Sequence, residues 1–407
     1  MIPRRLRSTK CGIIIVTIVM MYIYFRTDTF FQKKNIRLSS LKEDVKNNHN
    51  DKPSDYDMRT KPQANPILAR NSTMDKPWSL YGKETEIRFP KNRPLNGYLV
   101  YDCSKRHPGL CGGWSDRISG MLSTFGVAII SRRHFKINHD KPCAFENLLE
   151  PNKYDWKLDE SKIPSNAKFM YLIDNNSYNL RENSVKTNLE NYFTDDVTMI
   201  RMNWDMTRDF RMRPNIQEDF PWVTKLQYAD IYSGLYHYLF KPGKTVLEKF
   251  DGIQKRRKHE LLACSHARAG DIGNAPRNFT KIWNFLSKLN RSKYDIFIAS
   301  DQQYVRDAGI KYLQGYNIIT TEGQLGNMDH GRGGCDVFTT SMIDFYTLTT
   351  CDLLVITNSG FSIMSAYVRQ TPDNLYCMGD SDVFPCSRNV LEDVYPGNML
   401  APPLKLH

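Results

Sequence analysis

A chain of 407 residues, 41% hydrophobic and 25% charged, can bury a sizeable core, which excludes a wholly disordered, collagen-like or coiled-coil protein. Its length predicts two or three domains, because single cores stop growing near about 250–300 residues. The formal charge of +12 suggests nucleic acid only until it is located: four basic groups and no acid stand in the first ten residues and eleven against seven in 26–80, leaving 41 against 37 elsewhere, too balanced for the cationic face a polyphosphate demands.

Residues 11–25 (CGIIIVTIVMMYIYF) form an apolar run without charge or proline, preceded by Arg4, Arg5, Arg7 and Lys10 and closed by Arg26. A cleaved signal peptide would end in small residues, whereas this run ends in Met, Tyr, Ile and Phe. Tyrosines and a closing Arg suit a membrane interface, and a span of about 22 Å suits the thinner early secretory membranes. The expectation is a signal anchor at 11–25, a cytoplasmic tail at 1–10, and everything beyond Arg26 in the lumen. Residues 26–80, polar and with four prolines, read as a flexible stem.

From about residue 95, apolar runs alternate with helical patterns, the signature of crossover units and a parallel sheet. Strands are predicted at 97–103, 135–138, 169–173 and 197–202, with helices at 116–131 and 228–240. A basic polar stretch, 241–259, separates this half from a second that begins afresh. There the pattern gives strands at 261–265, 295–300, 317–320, 353–357 and 375–378, and helices at 279–289, 302–313, 338–350 and 361–369. The division is an acceptor-side Rossmann-like lobe at 81–245 and a second lobe at 246–407, two α/β lobes facing a cleft. Ligands of such folds sit at the carboxyl ends of the strands.

Eight cysteines lie beyond Cys11, an even number that predicts disulfides in an oxidising lumen. Cys103–Cys111 and Cys377–Cys386 would close short loops, while Cys264 and Cys351, inside apolar runs, could equally be buried thiols. Sequons at Asn71, Asn175, Asn278 and Asn290 agree with lumenal exposure. No Cys/His grouping has zinc spacing, so no metal site is expected.

Four strand ends carry chemistry. Residues 111–117 (CGGWSDR) put two glycines and Asp116 ahead of a helix; such a turn admits a ligand's close approach or is simply capped by Ser115 or Asp116. After the strand at 261–265 come His266, Arg268, Gly270 and Asp271, and Arg is the natural clamp for a diphosphate. Ser300 and Asp301 end the next strand, where a carboxylate accepts from a sugar hydroxyl or a purine edge. Thr357, Ser359, Gly360, Phe361 and Ser362 open a helix whose amino end would cradle phosphate oxygens. Each has a structural reading alone; their placement at successive strand ends of one lobe points to a shared ligand.

These motifs resemble the fucosyltransferase superfamily of α1,2-, α1,6- and protein O-fucosyltransferases. The likeness rests on 112–117, on His266-Ala267-Arg268-Ala269-Gly270-Asp271, on 297–301 and on 348–367, in matching order across roughly 98–378. The resemblance implies a two-lobed GT-B fold, GDP-fucose as donor, inversion at the anomeric carbon, and no obligatory metal or other cofactor; the leader and stem share only the family's general Golgi layout, with the type II membrane topology expected from the leader itself. It implies diphosphate binding by Arg268, nucleotide contacts at His266 and Asp301, and phosphate binding at 359–362. Where α1,2 and α1,6 members usually carry a second Arg, this chain has Ala269. Asp116, across the cleft, would serve as general base for a glycan or glycoprotein hydroxyl, with 178–213 as an acceptor loop. The alternatives are another nucleotide sugar, or a non-catalytic glycan-binding protein on a degenerate transferase fold.

Overall fold

Apolar runs that read as continuous rather than alternating belong to strands covered on both faces, and two sheets are built around such strands. The computed structural model describes residues 79–80, 83–84, 95–220, 223–270, 278–328, 334–369, 371–396, 401–402 and 404, all within one compact unit spanning 66–407. The expected tail, the anchor at 11–25 and nearly all of the stem lie outside the described residues. Among the described residues no helix is long and apolar enough to cross a membrane.

The first sheet comprises β1 (Tyr98–Cys103), β2 (His134–His139), β4 (Lys168–Leu172) and β5 (Val197–Met202), in the order β2-β1-β5-β4 and all parallel. Central β5 is buried at every position, whereas edge strand β2 buries alternate residues. Strand β3 (Leu149–Pro151) pairs instead with β6 (Phe240–Pro242), antiparallel, at the side of this lobe.

The second sheet holds β7 (Leu261–His266), β8 (Tyr294–Ala299), β9 (Ile318–Ile319), β10 (Leu353–Ile356), β11 (Leu375–Met378) and β12 (Val383–Pro385). Their order is β9-β8-β7-β10-β11-β12, parallel except for the last pair. Chain direction across the sheet reverses between β7 and β10, and in the first sheet between β1 and β5. These are the switch points at which open α/β sheets bind ligands.

Helices α1 (Trp114–Ile130), α2 (Tyr178–Lys186), α3 (Tyr228–Leu239), α4 (Lys244–Lys255), α5 (Thr280–Leu286), α6 (Gln303–Tyr312), α7 (Gly334–Leu348) and α8 (Gly360–Val368) complete the fold. All of α1 except Asp116 is buried, and it begins two residues earlier than the periodicity predicts because the Asp116 carboxylate takes the Gly113 N–H at 2.7 Å. The halves share an apolar core: Trp114 lies 5.6 Å from Phe338 and 6.1 Å from Phe345, and Tyr228 lies 5.4 Å from Tyr367, by ring centroids.

The basic stretch expected to separate the lobes is not simply a connector, since α4 occupies most of it and the boundary drawn at 245/246 falls inside that helix. Near the carboxyl end the chain returns to the first lobe, with Arg388 bonded to Asp230, Glu392 to Arg208, and the Pro402 carbonyl to Arg181 at 2.7 Å. All eight cysteines among the described residues are paired: Cys103–Cys111 and Cys377–Cys386 as expected, together with Cys264–Cys351 and Cys143–Cys335. Cys264 and Cys351 are therefore not buried thiols. They stand on β7 and beside β10, adjacent strands whose register brings Cys264 opposite Leu354.

Candidate active site

The parallel register of the second sheet builds one wall of the site. His266 pairs with Ala299 at the ends of β7 and β8, and Ser265 pairs with Val355 on β10, so the residues that follow these three strands emerge side by side. A cavity of about 540 Å³ opens there, within the range typical of small-ligand sites. His266, Arg268, Gly270, Ser300, Asp301, Ser359, Gly360 and Phe361 line this side; Gly112, Gly113, Asp116, Asp174 and Asn203 line the other. Both switch points thus face the same space.

Arg268 is held from two directions. Its Nη1 donates to Asp301 Oδ2 at 2.6 Å, and its backbone N–H donates to Thr357 Oγ1 at 3.3 Å. Asp301 Oδ1 accepts the Ala269 N–H at 2.8 Å, so both carboxylate oxygens orient the loop that carries the guanidinium. Arg268 keeps a quarter of its side chain exposed while Asp301 keeps 8%, leaving the cation able to meet a ligand.

Thr357 and Ser362 lie beneath the cavity rather than on it. Thr357 Oγ1 donates to the His266 carbonyl at 3.1 Å, and Ser362 Oγ accepts the Thr357 N–H at 3.3 Å. Ser362 Oγ is also 2.6 Å from His266 Nδ1. Burial, reinforced by the Arg268 and Arg306 cations, pushes His266 down to about 3, so it is a neutral hydrogen-bonding group at any physiological pH. Ser300 Oγ donates to the Ala267 carbonyl at 2.7 Å and accepts the Gln302 N–H at 3.3 Å, a loop brace. Asp271 lies outside the described residues.

The two helix amino ends at the cavity differ. Asp116 covers that of α1, and Gly112 (φ +84°) in front of it has no room for a side chain, since an added Cβ would stand 2.5 Å from Asp116 Cβ. At α8 the capping residue Ser359 makes no side-chain capping bond. The positive end of that helix is therefore open to an anion beside Arg268.

Sequence reasoning missed three parts of the lining. Asp174 lies two residues past β4, and Asn203, placed only loosely by the expected acceptor loop 178–213, directly follows β5; the strand-end rule applied to the second lobe would have found both in the first. Asp344, inside the apolar stripe of α7, accepts from Arg306 Nη2 at 2.7 Å and from Thr321; burial pushes it up to about 6. A charge on an apolar helix face was its available signal. Segment 324–328 also reaches the cavity and carries none. Of the expected acceptor loop 178–213, only Asn203 lines the cavity. Among the described residues no group of three or more His, Cys, Asp or Glu side chains could hold a metal ion.

Two parallel-stranded α/β lobes with a cleft across both switch points make a two-lobed, doubly wound architecture of the GT-B type. No protein-family model and no curated protein matches the sequence. Among solved structures, a mutant of FUT1 from Arabidopsis thaliana in complex with GDP matches at 12% identity and a TM-score of 0.50, over 74% of this chain and 73% of that one. NodZ of Bradyrhizobium, an alpha-1,6-fucosyltransferase soaked with GDP-fucose, matches at 10% identity and 0.45, over 72% and 99%. POFUT1 in complex with GDP-fucose matches at 12% and 0.41, over 72% and 97%. The chain shares the fold of the first of these.

Proposed function

We propose that the protein is an inverting glycosyltransferase that moves fucose from GDP-fucose to a hydroxyl of a glycan or glycoprotein, with no obligatory metal. One observation carries this reading: Arg268, held by Asp301, stands beside the uncapped amino end of α8 in a cleft shared by both lobes. As GDP departs, negative charge develops on the β-phosphate while the sugar gains oxocarbenium character. A fixed guanidinium and helix N–H groups, already oriented, stabilise that charge without rearranging during the reaction. The fold shared with a GDP-bound FUT1 structure supports the donor. The apolar run at 11–25 and its basic flank support a Golgi, type II, lumenal placement, with four disulfides in agreement.

The test is GDP binding by calorimetry, with Arg268→Ala beside the unaltered chain. Loss of a charge-assisted contact of about 1.5–3 kcal/mol lowers affinity roughly 10- to 150-fold, and transfer from GDP-fucose should disappear. Unchanged GDP affinity in the variant would remove Arg268 from the assigned role. The arginine and the helix end meet a diphosphate and not the sugar, which favours a second reading in which another nucleotide sugar is the donor. Release of GDP or UDP across a panel of donors separates the two.

A further inference from the structure

Among the described residues four carboxylates line the cleft; two have both oxygens bonded, and a third, Asp116, is tied to the amino end of its own helix. Asp301 spends both oxygens on Arg268 and the Ala269 N–H. Asp344 spends both on Arg306 and Thr321, and Asp116 accepts the Gly113 N–H. Asp174 is built differently. It lies two residues past β4 on the wall opposite Arg268, with an exposed side chain and a left-handed backbone at φ +52°, a conformation that Asp and Asn adopt more readily than other non-glycine residues.

A reciprocal pair of bonds holds it there: its N–H donates to Asn203 Oδ1 at 2.8 Å, and Asn203 Nδ2 donates to its Oδ1 at 2.7 Å. Among the described residues Oδ2 has no protein partner. An anchored carboxylate with one oxygen unused is suited to take a proton from a hydroxyl nucleophile.

Resting on the donor reading above, we infer that Asp174 receives the proton of the acceptor hydroxyl, with Asn203 as its positioning residue. The hydroxyl proton passes to Asp174 as the acceptor oxygen bonds the anomeric carbon. The bond from that carbon to the β-phosphate oxygen breaks, and its electron pair leaves with GDP.

The experiment uses the full chain, GDP, GDP-fucose and a glycan array. Asp174→Asn keeps the shape, and asparagine tolerates left-handed backbone, so folding and GDP affinity should stay unchanged. Both transfer to glycans and acceptor-free hydrolysis of GDP-fucose should fall by about 100-fold or more, in kcat rather than acceptor KM. Asp174→Glu should recover part of the rate, and Asn203→Ala should lower kcat with GDP affinity intact. Transfer by Asp174→Asn within about threefold of the unaltered chain would overturn the inference, as would loss of GDP affinity in step with transfer. Failure of the unaltered chain to bind GDP is a separate result, visible before any variant is made, that overturns the donor reading and this inference together.

Discussion

His266 illustrates how a single side chain ties the site to the solvent conditions it tolerates. Its folded-state value, about 3, lies below the ordinary 6.5, so the unfolded chain binds the proton more readily. The stability it contributes is complete above about pH 6.5 and falls as acid is added, by roughly 1.4 kcal/mol per pH unit until about pH 3. Melting temperature followed from pH 7 to 4 should decline, and His266→Asn, which keeps an acceptor near Ser362, should decline less. Equal slopes would show that other groups govern the acid limb; buried His139, also pushed well below its usual range, is the first alternative. His266 and Arg268 were legible as chemistry because they stand at the end of an apolar strand and two residues beyond it. Their pairings were not: Asp301 is 33 residues from Arg268 and Ser362 is 96 from His266, and only strand register brings them together.

The helix that fits most closely is α1, and glycine is the reason. An added Cβ at Gly120 would stand 1.9 Å from the Met202 carbonyl oxygen and 2.8 Å from the Tyr101 ring, so α1 lies directly on β5 and β1. Gly120→Ala forces backbone apart, an overpacking that costs about 1–3 kcal/mol or more, and thermal or urea unfolding should register it. A melting point within a degree of the unaltered chain would mean the helix shifts at little cost. Such contacts leave no trace in periodicity, yet the elements themselves were plain. Central strands β1, β5, β7 and β8 were predicted to within a residue at each end because burial on both faces makes their sequences mostly apolar rather than alternating. By contrast α4 buries only Val246 and Ile253 and reads as a solvated basic stretch, while three-residue β3 and β6 pair across roughly ninety residues.

On the scale of the whole molecule, the two lobes are joined by a shared aromatic core, by the returning carboxyl-terminal segment and by Cys143–Cys335, which spans 192 residues. Cys335 lies at the exposed start of α7, just beyond the 324–328 segment that lines the cavity. Cys335→Ser should lower stability by about 2–4 kcal/mol and weaken GDP binding less than Arg268→Ala does; a melting point equal to that of the unaltered chain would show the bridge contributes nothing the shared core does not. The alternating-element pattern announced two lobes but neither this bridge nor the carboxyl-terminal return, since both join positions whose proximity exists only after folding. Thiols held reduced cannot make the clasp at all. A cell that manufactures this chain in a reducing cytosol would therefore yield sheets without their rivet, and the heat resistance of the product should follow how completely its thiols are oxidised.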